Sequence, residues 1–390
     1  MAKYDFDQLI PRRGTNSVKW DEEPAADILP MWVADMDFRT APAIIEALQK
    51  RVEHGIFGYT RVDDTWRDAY RTWWSTRYGW EIPRENLLFA TGIMPALHSA
   101  IRRFTSIGDK VVLISPVYHC FYEAVEENGR IALECPLDCK DGVYSLDLER
   151  LDATLATPGV EAMILCNPHN PTGQIWTKEE LAAIGEMASR HNIVIFNDEI
   201  HCDLVDPGYR YTPFATVSKA CEEHSITFIS PSKTFNVPGM SSAAVVTGNA
   251  QWRARLSRAF HADQIGNPGA LAVDVPVAAF TRGGAWVDEL REVLARHKRR
   301  VVDFVNTEIP GLKARLMPAT YLVWIDCSEI TANTDALVKH LRETEGLIIS
   351  AGGPFRGNGA AYLRFNPATQ ETRLEDALGR LKRGVLSFKA

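Results

Sequence analysis

The chain is predicted to be an α/β protein with a mostly parallel, doubly wound sheet, and three successive segments carry that reading. Val160–Cys166 is a continuous apolar run of the kind buried on both faces of a sheet. Thr177-Lys178-Glu179-Glu180 then supplies a capping box, with Thr177 at the N-cap, and opens a helix through about His191. Ile193-Val194-Ile195-Phe196 follows as a second buried run and ends in Asn197-Asp198-Glu199-Ile200-His201. In sheets of this kind ligands bind outside the carboxyl ends of the strands.

Between the first strand and the helix lies Asn167-Pro168-His169-Asn170-Pro171-Thr172-Gly173. Its two Asn-Pro steps force an extended, turn-rich path, because a residue before proline is pushed out of the helical region. Asp198, ending a buried strand, needs a cation or a hydrogen-bond donor. Ser225-Ile226-Thr227-Phe228-Ile229 is a further strand and runs into Ser230-Pro231-Ser232-Lys233-Thr234, where an amine sits among hydroxyls. Such a lysine forms a Schiff base once desolvation or a nearby cation lowers its pKa, and the flanking hydroxyls suit a phosphorylated aldehyde. Asn86-Leu87-Leu88-Phe89-Ala90 reads as a short strand. Thr91-Gly92-Ile93 leads from it into a helix expected from near Pro95 through Phe104, whose free N–H groups suit an anion. Asn170, Asp198 and Lys233 are therefore expected to converge at one sheet edge. Singly, each has a plainer reading: a surface lysine, a capping or ion-paired aspartate, and for Tyr118 an ordinary core aromatic.

Through the 167–173 loop, Asp198 and Ser230-Pro231-Ser232-Lys233, the sequence resembles the fold-type I pyridoxal-phosphate enzymes of the class I/II aminotransferase superfamily, in the right order over nearly the whole chain. Five stretches are most similar to the cystathionine β-lyase and C–S lyase branch: Arg13-Gly14-Thr15 with Lys19-Trp20-Asp21, Trp32-Val33-Ala34-Asp35-Met36-Asp37-Phe38, Phe57-Gly58-Tyr59, Asp198-Glu199-Ile200-His201 and Lys233-Thr234-Phe235-Asn236-Val237-Pro238-Gly239. The resemblance implies pyridoxal 5′-phosphate as cofactor, bound as a Schiff base on Lys233, which would later shuttle the proton at Cα. Asp198 would pair with the pyridine nitrogen and Asn170 with the phenolic oxygen. His201 stands where many aminotransferases carry a tyrosine that also touches that oxygen, and Tyr118 would stack on the ring. Thr91, Gly92 and Ile93 would take the phosphate from one side, with Ser230 and Ser232 on the other. Ser241 stands where many relatives carry a phosphate-binding arginine. Tyr59 matches a tyrosine that completes the phosphate site of the neighbouring subunit, which implies a homodimer with composite sites. Arg364, in Ala361-Tyr362-Leu363-Arg364-Phe365-Asn366, matches the fork on the substrate α-carboxylate, and Val33 and Ala34 would help line the side-chain pocket.

The same resemblance implies a large domain over 43–280 and a smaller one from 1–42 with 281–390, joined by a helical pattern from Ala285 to Thr307. The implied activity is cleavage of L-cystathionine or related S-substituted cysteines to thiol, pyruvate and ammonia. An aminotransferase and a regulatory binding protein on the same fold remain alternatives, because the residues at the reacting centre are shared. At 390 residues the chain can hold two domains. A formal charge of −7 with no basic run argues against nucleic acid. The opening Met1-Ala2-Lys3-Tyr4-Asp5 lacks an apolar leader and no stretch suits a membrane, so a cytoplasmic location is expected. Seven cysteines without a Cys-x-x-Cys pair fit reduced thiols, and ten histidines without ligand spacing imply no metal. Gly352-Gly353-Pro354-Phe355-Arg356-Gly357-Asn358-Gly359 reads as a loop able to close over substrate or to serve as a surface turn.

Overall fold

A computed structural model describes residues 4–23, 25 and 27–389, so the opening Met1-Ala2-Lys3 of the expected leaderless start lies outside the described residues. The larger sheet has seven strands: β1 Leu87–Ala90, β2 Lys110–Ser115, β3 Ile131–Pro136, β4 Val160–Cys166, β5 Val194–Asp198, β6 Ser225–Ile229 and β7 Ala243–Val246. Their spatial order is β1-β7-β6-β5-β4-β2-β3. Strands β3, β2, β4, β5 and β6 pair in parallel, while β7 runs antiparallel to both β6 and β1.

Strand geometry explains why the central strands read as unbroken apolar runs, since alternate residues enter opposite faces and both faces are covered. Val111, Leu113, Ala162, Ile164, Phe196 and Phe228 pack with Leu97 and Ile101 of helix α1, Ile93–Phe104. Their neighbours Val112, Ile114, Met163, Leu165 and Ile195 pack on the other side with Leu181 and Ile184 of helix α2, Lys178–His191. Helix α2 starts with the expected reciprocal capping box: Thr177 accepts from Glu180 N, and the Glu180 carboxylate accepts from Thr177 N at 2.8 Å. Helix α1 begins at Ile93 rather than near Pro95. The first N–H groups of a helix have no intrahelical partner, so a proline loses nothing at the third position and does not mark the start.

A smaller antiparallel sheet holds β8 Lys313–Ala314, β9 Val323–Asp326, β10 Ser350–Ala351 and β11 Tyr362–Phe365, in the order β8-β9-β11-β10. Strand β11 is buried along its whole length. The helix read from Ala285 to Thr307 spans Gly284–Glu308 as α3. Its far half packs with β9, β11 and the arm residues Trp20, Leu29 and Met31. Its first turns pack with Trp66, Trp73, Trp74 and Phe280 in another core, which also takes in Phe6, Met36 and Phe38 of the arm.

The arm is fixed by charge as well as packing. Arg12 meets Asp35 and Asp37 at 2.8 Å each, Lys19 meets Asp37 at 3.1 Å, and Trp20 Nε1 donates to Asp37 at 2.8 Å. Asp37 and Lys19 are both buried, so each charge needs the other. No helix among the described residues is long and apolar enough to cross a membrane.

Candidate active site

Sheet topology brings six segments to one edge. The carboxyl ends of β2, β4, β5 and β6 deliver Tyr118, the 167–173 loop, Asp198 and the Lys233 turn. Because β7 is antiparallel and β1 pairs with it, Ser241-Ser242 before β7 and Thr91-Gly92 after β1 arrive at the same edge. The result is a cavity of about 300 Å³ whose lining includes Thr91, Gly92, Ile93, Tyr118, Asn170, Asp198, His201, Ser230, Ser232, Lys233 and Ala34.

Lys233 sits in the short turn Pro231–Thr234, capped by the Ser230 hydroxyl, which accepts from Ser232 N at 3.1 Å. The same hydroxyl donates to Ser242 O at 2.8 Å, so its proton is committed. Of the hydroxyls expected around Lys233, that of Thr234 is turned out of the cavity, because the helical turn points it at Asp203 Oδ2, 2.9 Å away. The Lys233 amine donates to Ala34 O at 2.5 Å, and that carbonyl also accepts from the Tyr321 hydroxyl at 2.7 Å. Burial, with the Arg364 charge adding to it, brings the Lys233 ammonium down to about 8, against the attraction of Asp35 and Asp198. A share of free amine at neutral pH follows.

Asp198 is buried, and its Oδ1 accepts from Ile200 N at 3.0 Å. Among the described residues no cation lies within ion-pairing distance of it, and burial pushes it up to about 7 against the pull of that N–H and of Lys233. His201 lies against the same cavity with Nδ1 unpartnered; burial first, then Lys233 and Arg364, holds it neutral, down to about 3.

Asn170 belongs to a loop tied at several points. Its carbonyl accepts from Tyr118 N at 3.1 Å, His169 Nδ1 meets Thr172 Oγ1 at 2.8 Å, and Asn167 Nδ2 donates to Glu199 Oε1 at 3.2 Å. The Asn170 amide oxygen in turn accepts from Arg364 Nη1 at 3.4 Å. Arg364 is buried on β11, donates through Nη2 to Trp32 O at 3.3 Å and lies 4.8 Å over the Phe355 ring. No carboxylate pairs with it among the described residues, and its Nε has no partner. Phe355 belongs to the glycine-rich 352–359 stretch, which forms two short 3-10 turns, and Val117 N donates to its carbonyl.

At the opposite wall, helix α1 presents its N-terminus through Gly92 and Ile93. The Thr91 N–H is already given to Ile265 O. Ser241 and Ser242 line the wall as uncharged groups. Three expected residues are not in the lining: Arg364, which meets Asn170, Val33, which offers its carbonyl to Asn366 Nδ2 at 2.6 Å, and Tyr59, expected at the neighbouring subunit's phosphate and fully exposed on this chain.

Sequence reading missed Ser242, Phe121, Cys166 and Tyr321. Phe121 was detectable as the residue one helical turn beyond Tyr118, and Cys166 as the last residue of β4. Tyr321 carries no local signal, because its role depends on a carbonyl nearly three hundred positions away. No metal was implied by the sequence; beside Tyr118, the ligand atoms of His119, Cys120 and Glu123 lie within 4.8 Å of one another.

An α/β sheet edge that gathers a desolvated lysine and a buried aspartate, with no cation pairing the aspartate among the described residues, has the character of an enzyme site. The aminotransferase class I and II family model matches residues 26–381, and the chain belongs to that family. It is 40% identical to the cystathionine beta-lyase PatB of Bacillus subtilis (strain 168), covering 97% of this chain and 99% of that one. Protein MalY of Escherichia coli (strain K12) is 33% identical over 99% of this chain and 100% of its own. Among solved structures, cystalysin from Treponema denticola, which contains a pyridoxal 5′-phosphate cofactor, is similar with a TM-score of 0.95 and 31% identity, over 99% of this chain and 100% of that one.

Proposed function

We propose that the protein is a pyridoxal 5′-phosphate-dependent carbon–sulfur β-lyase, cleaving L-cystathionine or related S-substituted cysteines to a thiol, pyruvate and ammonia. The observation that carries it is that Lys233 and Asp198 line one cavity, with Arg364 buried against Asn170 of the same lining. The site fits the cofactor on its own chemistry. Asp198 is a buried acid that pairs with no cation among the described residues, which suits a protonated ring nitrogen. The Gly92-Ile93 helix start, with Ser232 and Ser241 in the same lining, suits a phosphate. The cofactor, once bound, draws electrons away from the substrate Cα.

The residues of the chain divide the remaining work. Arg364 takes the substrate α-carboxylate as a bidentate partner and so orients the Cα–H bond. The Lys233 amine, lowered toward neutrality and held by Ala34 O, accepts the Cα proton as general base. Departure of the β-thiolate follows, and water then yields pyruvate and ammonia. Tyr118 and Phe121 keep bulk water from one face. Elimination rather than amino transfer is supported by full-length relatives that bear the lyase name. The test is product balance: with no added keto acid, L-cystathionine should give sustained, near-equimolar pyruvate, ammonia and thiol. Stoichiometric amine-form cofactor from alanine or aspartate, matching overall turnover and with negligible pyruvate from sulfur substrates, would instead establish an aminotransferase.

We further propose a homodimer in which Tyr59 reaches the partner's site, with the large domain over 43–280 and the arm plus the remainder in the smaller one. The cytoplasm is the proposed compartment, where seven free thiols stay reduced.

A further inference from the structure

A second cavity, of about 360 Å³, lies one hydrogen bond from the Lys233 turn. Arg77, Lys178, Arg210 and Arg291 line it against a single carboxylate, Asp203, in a chain whose formal charge is −7. That carboxylate is already occupied. Trp73 Nε1 donates to it at 3.0 Å, Thr234 Oγ1 at 2.9 Å, and the Tyr78 hydroxyl completes the set.

Two of the cations are held in place. Arg77 meets Asp288 at 3.0 Å and lies 4.1 Å over the Trp73 ring, and Arg291 Nε donates to Val205 O at 2.6 Å. Lys178 and Arg210 are exposed, and neither has a carboxylate within ion-pairing distance among the described residues. A polar cavity of small-molecule size with an excess of positive charge, part of it already oriented, recognises negative charge at low ordering cost.

We propose that this cavity is a binding site for a small multivalent anion, a phosphate ester or a polycarboxylate, gripped by Arg210 and Lys178 at the mouth and by Arg77 and Arg291 along the walls. Guanidinium forks match either oxyanion geometry. An occupant would sit beside Thr212, whose carbonyl accepts from Asn167 Nδ2 at 3.0 Å at the head of the 167–173 loop, and beside Asp203, which holds Thr234. The site therefore touches two segments that position Asn170 and Lys233.

The experiment is calorimetric titration of the holoenzyme, its own phosphate cradle filled, with pyrophosphate and separately with citrate at fixed ionic strength. One saturable site per chain is expected for at least one of them, and the tighter of the two assigns the ligand to the phosphate or the carboxylate class. Lys178→Glu combined with Arg210→Glu should weaken binding about tenfold or more. Lys339→Glu with Arg383→Glu makes the same charge change on exposed helices elsewhere and should leave it within about twofold. The milder Arg210→Gln should give an intermediate loss. Absence of saturable binding by either anion, or equal weakening in the two double variants, overturns the proposal.

Discussion

Arg364 is a buried cation that faces no acid among the described residues and keeps an unpartnered Nε, which suits a ligand that brings the countercharge. Arg364→Ala should therefore lower kcat/KM for S-substituted cysteines by the worth of a charge-assisted fork, about 1.5–3 kcal/mol, or roughly ten- to hundredfold. Arg364→Lys should recover little of it, since an ammonium lacks the planar pair of donors. Steady-state kinetics on the three proteins decides the point, and a wild-type-like Arg364→Ala would remove the arginine from the site. Asp198 offers a test without turnover. Its folded value of about 7 lies above the ordinary 3.8, so in the cofactor-free chain the folded form keeps a proton that the unfolded form releases between those values. The stability tied to that proton is whole below 3.8 and lost as pH rises toward 7. His201, brought down to about 3 from 6.5, acts in the opposite sense and is common to both proteins compared. The Tm of cofactor-free Asp198→Asn should thus climb by several degrees relative to the native chain between pH 5 and pH 8 (about the span of that titration). A pH-independent gap would mean Asp198 is ionised throughout.

At the level of elements, the 167–173 loop shows what local sequence determines. Its two prolines and the strand before it were enough to place Asn170 at the sheet edge, because restricted backbone is a local property. Gly173 closes the loop at φ +72°, and a Cβ there would stand 2.8 Å from Ala319 O and 2.8 Å from Met317 Cβ. Both demands exclude a side chain. Gly173→Ala should cost about 1–3 kcal/mol in chemical denaturation and reduce kcat/KM, since the loop that shifts carries Asn170. Unchanged stability would show that the backbone relaxes there. Helix α2 was legible to the residue for the same kind of reason: a capping box is a signal within four positions. Strand β7 and Ser242 were not, because a four-residue run of Ala and Val has no distinctive period, and only pairing with β6 and β1 places it. The Arg12, Lys19, Asp35 and Asp37 network was equally hidden. The motif stretches that contain Lys19, Asp35 and Asp37 were visible, yet nothing in their spacing says that they meet and hold the strand of backbone on which Ala34 O sits.

For the whole molecule the open question is what covers Tyr59. The run Val52, Ile56, Phe57 and Tyr59 is exposed, with Tyr59 at 112% of its reference area, a concentration of apolar surface that water-facing loops seldom keep. A second copy is the proposed cover, and it makes a specific functional demand. If Tyr59 serves the partner's phosphate, every site needs Lys233 from one chain and Tyr59 from the other. Lys233→Ala homodimers then lack the lysine in both sites, and Tyr59→Ala homodimers lack the tyrosine in both. After exchange of equal amounts, about half of the dimers are hybrids, and each hybrid has one site with both native residues and one with neither, so about a quarter of native activity should return. Were Tyr59 to serve its own chain, each hybrid site would still lack one residue, and mixing would restore nothing. Mass-tagged subunits verify the exchange, and a low baseline for Tyr59→Ala alone makes the recovery readable. Activity that stays flat through complete exchange would leave each site built from a single chain.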